Sequence, residues 1–162
     1  MAKHGVYLTP TLGLHKYLTM PPYNKFQNEK SMKKNAEVGS AAMQAIQHCE
    51  NAGVTVCYGT DTVGPVLPMQ TFEFVVRAMV LPSPTILKQA TINGAKNLGM
   101  EGLLGELIPG AYADLLFLKE NPLVDITSLD NTTDNLCAIV KDGRVVRSRV
   151  SGLDVERSVD WA

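Results

Sequence analysis

The stretch Val54-Thr55-Val56-Cys57-Tyr58-Gly59-Thr60-Asp61 is a β-branched run that closes on a glycine, a threonine and a carboxylate. β-Branched and aromatic residues favour extended backbone, and the glycine marks where it ends. Side chains alternate faces along a strand, so Thr55, Cys57, Gly59 and Asp61 share one side wherever extended geometry persists, and Val54, Val56 and Tyr58 share the other. The bulky side predicts packing against helices. The small, polar side predicts a barrel interior or cleft, with Asp61 at its C-terminal end.

Upstream, Met32, Ala36, Gly39, Met43 and Ile46 recur at spacings of four and three, which predicts a helix from about 28 to 51. Asn51-Ala52-Gly53 supplies its stop, because Gly53 can take the left-handed conformation. Further upstream, Val6-Tyr7-Leu8-Thr9-Pro10-Thr11-Leu12 reads as a strand ending near Gly13. A long connection follows, centred on Pro21-Pro22, of the kind that often serves as a lid. Strand, helix, strand at this spacing is a parallel crossover unit. Tyr7, Thr9 and Thr11 face one way in the first strand, so both strands carry small polar groups toward their C-terminal ends. Active sites in parallel α/β architectures sit at that end.

Downstream, Met69 to Val80 reads as a helix broken by Leu81-Pro82-Ser83-Pro84. Pro84 opens a further helical stretch from Thr85 to about Leu98, with interruptions. The character changes at Gly102. Ala113-Asp114-Leu115-Leu116-Phe117-Leu118 reads as a strand, and Cys137-Ala138-Ile139-Val140 and Arg144-Val145-Val146 flank Lys141-Asp142-Gly143, a strong hairpin signal. The chain therefore predicts an α/β class, with a parallel βα region followed by a small antiparallel element.

At 162 residues, 45% hydrophobic and 19% charged, the chain is long enough for a hydrophobic core and is not of disordered composition. A formal net charge of −1 gives no support to a nucleic-acid or anionic-membrane partner. Lys30, Lys33 and Lys34 stand between Glu29 and Glu37, the pattern of a solvated helix face. No apolar run approaches the ~20 residues of a membrane span. Cys49, Cys57 and Cys137 are odd in number and form no CxxC pair, which predicts reduced thiols and a cytoplasmic location.

Taken alone, Asp61 reads as well as a helix cap or loop aspartate as it does as a catalytic carboxylate. The order of several local patterns shifts that balance. After Gly59-Thr60-Asp61 come Ala90-Thr91-Ile92-Asn93-Gly94-Ala95, Leu104-Gly105-Glu106-Leu107-Ile108-Pro109-Gly110, Ala113-Asp114-Leu115, Asn121-Pro122-Leu123 and Val140-Lys141-Asp142-Gly143-Arg144. This succession resembles the C-terminal part of the amidohydrolase superfamily, in particular its imidazolonepropionase-like and prolidase-like branch, over about residues 3 to 148. The resemblance implies a (β/α)8 barrel joined to a small β-sandwich. Residues 1–101 would hold the last two βα units of that barrel, 102–150 strands of the sandwich, and 151–162 a tail whose Trp161 has no assigned role. Thr9-Pro10-Thr11-Leu12 would belong to the seventh barrel strand and Val54 to Tyr58 to the eighth. It further implies that Asp61 binds a divalent metal, zinc foremost, and acts as general base. The chemistry would be hydrolysis of a C–N bond in an amide, dipeptide-like or cyclic amide substrate. A metal lowers the pKa of bound water, and a neighbouring carboxylate takes its proton and returns it to the leaving amine.

A catalytic zinc takes about three protein ligands plus water. The resemblance implies a His-x-His, a bridging carboxylate or carboxylated lysine, and two later histidines, and it places these upstream of Met1. The histidines of this chain are His4, His15 and His48, and no two have ligand spacing. His48 reads as a surface residue of the long helix. His4 precedes the first strand, at the end opposite Asp61. His15 leaves that strand on a loop at the same end as Asp61, so a substrate contact is expected of it. Leu14 to Tyr17 and Thr62 to Pro68 are the further segments that would line a substrate. Two strands of an eight-stranded barrel leave backbone edges open, so self-association through that edge is expected. The alternative to an enzyme is a catalytically inactive fragment or interaction module.

Overall fold

The computed structural model describes residues 1–156, so Trp161 and the end of the expected tail lie outside the described residues. Strands β1 (Tyr7–Leu8) and β2 (Thr55–Val56) pair in parallel, with Tyr7 opposite Thr55 and Leu8 opposite Val56. Helices α1 (Leu12–Tyr17) and α2 (Glu29–Asn51) form the crossover between them. The parallel unit is as expected, but its first strand is shorter. Extended backbone stops at Leu8 rather than continuing to Leu12, because Pro10 has no N–H for a ladder and α1 begins at Leu12. The long connection is likewise not a bare loop, since it contains α1 and a short 3₁₀ helix, Tyr23–Phe26.

Asn28 caps α2, its side-chain oxygen accepting from the Ser31 N–H at 2.9 Å, and Gly53 takes a left-handed φ of 73° just past the end. The predicted apolar stripe is buried unevenly. Ile46 is fully buried, Met43 half-buried and Ala36 exposed, so only the C-terminal half of α2 lies on the core. That core gathers Leu12, Ile46, Val56 and Val76, with Leu8, Met43 and Phe72 packed around it. Four elements thus converge beneath the C-terminal ends of β1 and β2.

The helix expected from Met69 begins later, as α3 (Phe72–Ala78), after a 3₁₀ helix over Gly64–Met69. The stretch after Pro84 is interrupted as anticipated, forming α4 (Ser83–Ala90) and α5 (Ile92–Asn97). Thr91 lies between them at φ −119° and ψ −88°, outside helical geometry.

Strands β3 (Leu115–Leu118), β4 (Leu136–Lys141) and β5 (Arg144–Ser148) form one antiparallel sheet in the order β3-β4-β5. Leu136, Ala138 and Val140 are buried in alternation, the period-two signature of a half-buried strand. Asp142 and Gly143 both have positive φ, 51° and 76°, the pattern of a type I′ turn. A 3₁₀ helix over Ile126–Asp130 ties this sheet to the helices: its Ile126 N–H donates to Ser83 Oγ at 3.1 Å, and Thr71 Oγ1 donates to Asp130 Oδ1 at 2.7 Å.

Candidate functional site

The ladder between β1 and β2 ends where the Cys57 N–H donates to the Leu8 carbonyl at 2.8 Å. Beyond that point, side chains from the helices receive the backbone groups. The Val56 carbonyl accepts from Asn93 Nδ2 at 2.7 Å and the Cys57 carbonyl from Arg77 Nη1 at 3.1 Å. Arg77 Nη2 donates to the Pro10 carbonyl at 2.6 Å, so one guanidinium bridges the exits of both strands. The same group donates to Gln89 Oε1 at 2.5 Å and through Nε to Glu73 Oε1 at 2.6 Å. Gln89 passes the chain on to Glu50, and Glu73 Oε2 accepts from the Gly13 N–H at 2.5 Å.

Arg77 and Glu73 are almost entirely buried, at 0% and 1% exposure. Burial pushes the Glu73 carboxyl up, more than Arg77 and the Gly13 amide draw it down. The guanidinium also lies 5.1 Å from the ring centre of Tyr58, which stacks on Phe74. The Tyr58 hydroxyl donates to the Gln70 carbonyl at 2.9 Å, and burial raises its pKa.

Asp61 stands just beyond this network. It is exposed and adopts a left-handed φ of 51°, which aspartate tolerates better than most residues. Extended geometry therefore does not run as far as Asp61, and strand parity alone does not orient it. It caps none of the described helices: the next 3₁₀ helix is preceded by Val63 and α3 by Thr71. Gly59 is held against the neighbouring strand, since a Cβ there would stand 2.4 Å from Thr9 Cγ2. The face of Thr55 and Cys57 is less open than parity suggested. Cys57 is 1% exposed, its thiol donates to the Asn93 carbonyl at 3.3 Å, and burial pushes its pKa up.

His15 lies within α1 and not on a loop. Its Nδ1 donates to Asn35 Oδ1 of α2 at 2.5 Å, and Asn35 Nδ2 returns a bond to the His15 carbonyl at 3.0 Å. It lines a groove of about 210 Å³ with Leu12, Asn35, Gly39 and Met43, and Asp61 is not among the lining residues. The structure thus places both residues beyond the C-terminal ends of β1 and β2, and Asp61 does not line the groove that His15 lines. Tyr17, at the end of the same helix, is 1% exposed, and its hydroxyl has no hydrogen-bond partner among the described residues. Burial first, then the charges of Asp61 and Glu73, raise its pKa. His4 and His48 are exposed.

Among the described residues, no group of three or more His, Cys, Asp or Glu side chains is arranged to hold a metal ion. One carboxylate at Asp61 does not make a metal site, so the donors present here do not fit the metal that the resemblance implies. Nor does any described helix have the length and apolarity to cross a membrane.

The groups that sequence patterns missed are Glu73, Arg77 and Gln89. Glu73 and Arg77 did carry a signal, an i,i+4 spacing, but that spacing equally describes an exposed helix pair.

Comparison with known proteins agrees with this architecture. A solved amidohydrolase superposes with a TM-score of 0.84 at 34% identity, over 93% of this chain and 36% of its own. A prolidase solved with N-methylphosphonate-L-proline gives 0.83 at 31% identity, over 91% of this chain and 36% of its own. Ochratoxinase from Aspergillus niger is 32% identical over 99 residues, 60% of this chain and 21% of that protein. The chain spans about a third of these solved structures and about a fifth of the curated relative. The sequence profile of the amidohydrolase family matches residues 1–147, and the chain belongs to that family.

Proposed function

We propose that Asp61 is the carboxylate that this chain contributes to a hydrolytic site for a C–N bond. The observation that carries the reading is its position: exposed, in left-handed backbone, at the exit of the second of two parallel strands. In that role Asp61 takes a proton from the attacking water and returns it to the leaving amine. β1 and β2 correspond in this reading to the seventh and eighth strands of a (β/α)8 barrel within residues 1–101, and β3 to β5 to part of a sandwich within 102–150. An amide or dipeptide-like substrate is supported by the prolidase neighbour and its proline-containing phosphonate. His15 is a substrate-side contact in the same reading, because Asn35 occupies its Nδ1 and leaves Nε2 for a ligand.

Family chemistry is metal-dependent, and zinc is the metal to test. The donors beyond Asp61 have to come from outside the described residues, and no step is assigned to a metal on the residues present. Zinc content of the purified protein carrying this chain tests the reading. We expect stoichiometric zinc that is lost in Asp61→Ala.

A second reading has its own support, since Leu116 and Phe117 of β3 are 59% and 43% exposed. On that reading the chain is an inactive interaction module. Metal-free protein that self-associates with rising concentration on size exclusion would favour it and count against the first.

A further inference from the structure

We infer that the Glu73–Arg77 pair of α3 positions the candidate site, fixing from beneath both the segment that carries Asp61 and the helix that carries His15. The backbone ladder between β1 and β2 stops at the Cys57 N–H, and past the two strands the Pro10 and Cys57 carbonyls accept from one side chain. Arg77 takes the Pro10 carbonyl at 2.6 Å and the Cys57 carbonyl at 3.1 Å, so its guanidinium continues the pairing of two strands that have already parted. A planar fork with several fixed donors can serve both carbonyls at once, which the single ammonium of lysine does less well. Arg77 is itself held by Gln89 of α4 and Glu73 of α3.

Glu73 extends the device to the other side. One of its oxygens binds Arg77 and the other accepts from the Gly13 N–H in the first turn of α1. Gly13 is therefore anchored two residues before His15. On the β2 side only Tyr58, Gly59 and Thr60 separate the Cys57 anchor from Asp61. Tyr58 lies against the guanidinium and Gly59 against Thr9. An ordinary i,i+4 pair stabilises its own helix. Here the other three partners of Arg77 lie on β1's exit, β2's exit and α4.

The functional consequence rests on the reading of Asp61, whereas the placement of the backbone does not. Hydrogen–deuterium exchange on the protein carrying this chain tests it with Arg77→Lys and Glu73→Gln. In Arg77→Lys we expect the amides of residues 58–62 and 12–15 to exchange faster by about tenfold. Amides of the Ile46 turn of α2 and of the β4–β5 hairpin should keep their rates. Glu73→Gln should loosen residues 12–15 more than 58–62. Where hydrolysis is measurable, Arg77→Lys should lower kcat by a larger factor than it raises KM. Uniform acceleration across the chain would mean a purely structural ion pair and overturn the inference, as would unchanged exchange at both segments. Should Arg77→Lys fail to fold, Glu73→Gln decides by its segment selectivity alone. Unchanged hydrolysis in Asp61→Asn would remove the role of Asp61 while leaving the exchange result standing.

Discussion

The two sheets of this protein are terminated by opposite means. The β4–β5 hairpin closes through a turn of adjacent residues, Asp142 and Gly143, which supply positive φ; the more distant Asp114 carboxylate supports it, accepting from Lys141 Nζ at 2.8 Å and from the Asp142 N–H at 2.8 Å. These groups face solvent, where an ion pair contributes little. The β1–β2 pair is terminated by Arg77, 67 positions from Pro10 and 20 from Cys57, with no exposed surface. There each unmet partner would be a buried charge or carbonyl, and the stakes are several times larger. The β4–β5 hairpin relies chiefly on its turn. The parallel pair needs the rest of the fold.

The largest test of that contrast is Arg77→Met. Leaving Glu73 buried without its cation should cost about 3–5 kcal/mol in urea unfolding. Adding Glu73→Gln should recover part of the loss, because the uncompensated charge goes with it. A loss no larger than that of a surface substitution would erase the distinction between the two sheets.

Gly59→Ala should come next, at about 1–3 kcal/mol, because its Cβ would overlap Thr9 Cγ2. Thr9→Ser removes that methyl and should restore most of the stability in the double variant. Failure to rescue would show that the strand exits are not held as closely as described.

In the hairpin, Gly143→Ala places a side chain at φ 76° and should cost about 1–2 kcal/mol. Hydrogen exchange should locate the loss in β4 and β5 and leave β1 and β2 unaffected.

The smallest effect is expected at Asp114→Asn. The Lys141 hydrogen bond foremost, with the Asp142 amide, holds the Asp114 carboxyl below its ordinary value of 3.8. The folded state therefore binds fewer protons there than the unfolded state, and stability rises with pH. The contribution is complete above that ordinary value and disappears as pH falls through the lower folded one. Thermal melts at descending pH should show a small acid-side loss in the wild type that Asp114→Asn lacks.

The same contrast explains what sequence could reveal. The α2 helix and the Asp142-Gly143 turn follow from neighbours along the chain, and patterns located them closely. The end of β1 did not, because β-branched and apolar residues continue to Leu12 on either side of Pro10, while the partners of the Pro10 carbonyl and the Gly13 amide, Arg77 and Glu73, lie far along the chain. His15 fell inside a helix for the same reason. Glu73 and Arg77 show the spacing of a solvated pair, and only the packing of α3 beneath both strands reveals them as buried. The burial of Cys57 depends on Asn93, which arrives from α5. The ordered motifs singled out Asp61, and what no local pattern could supply was the framework that holds its segment.

The most direct test of the central claim is steady-state hydrolysis of Xaa-Pro dipeptides and N-acyl amino acids, with added zinc, by the protein carrying this chain and its Asp61→Asn variant. The account predicts a drop in kcat of about 100-fold or more in the variant, with its melting temperature unchanged. Equal rates in the two proteins would contradict it.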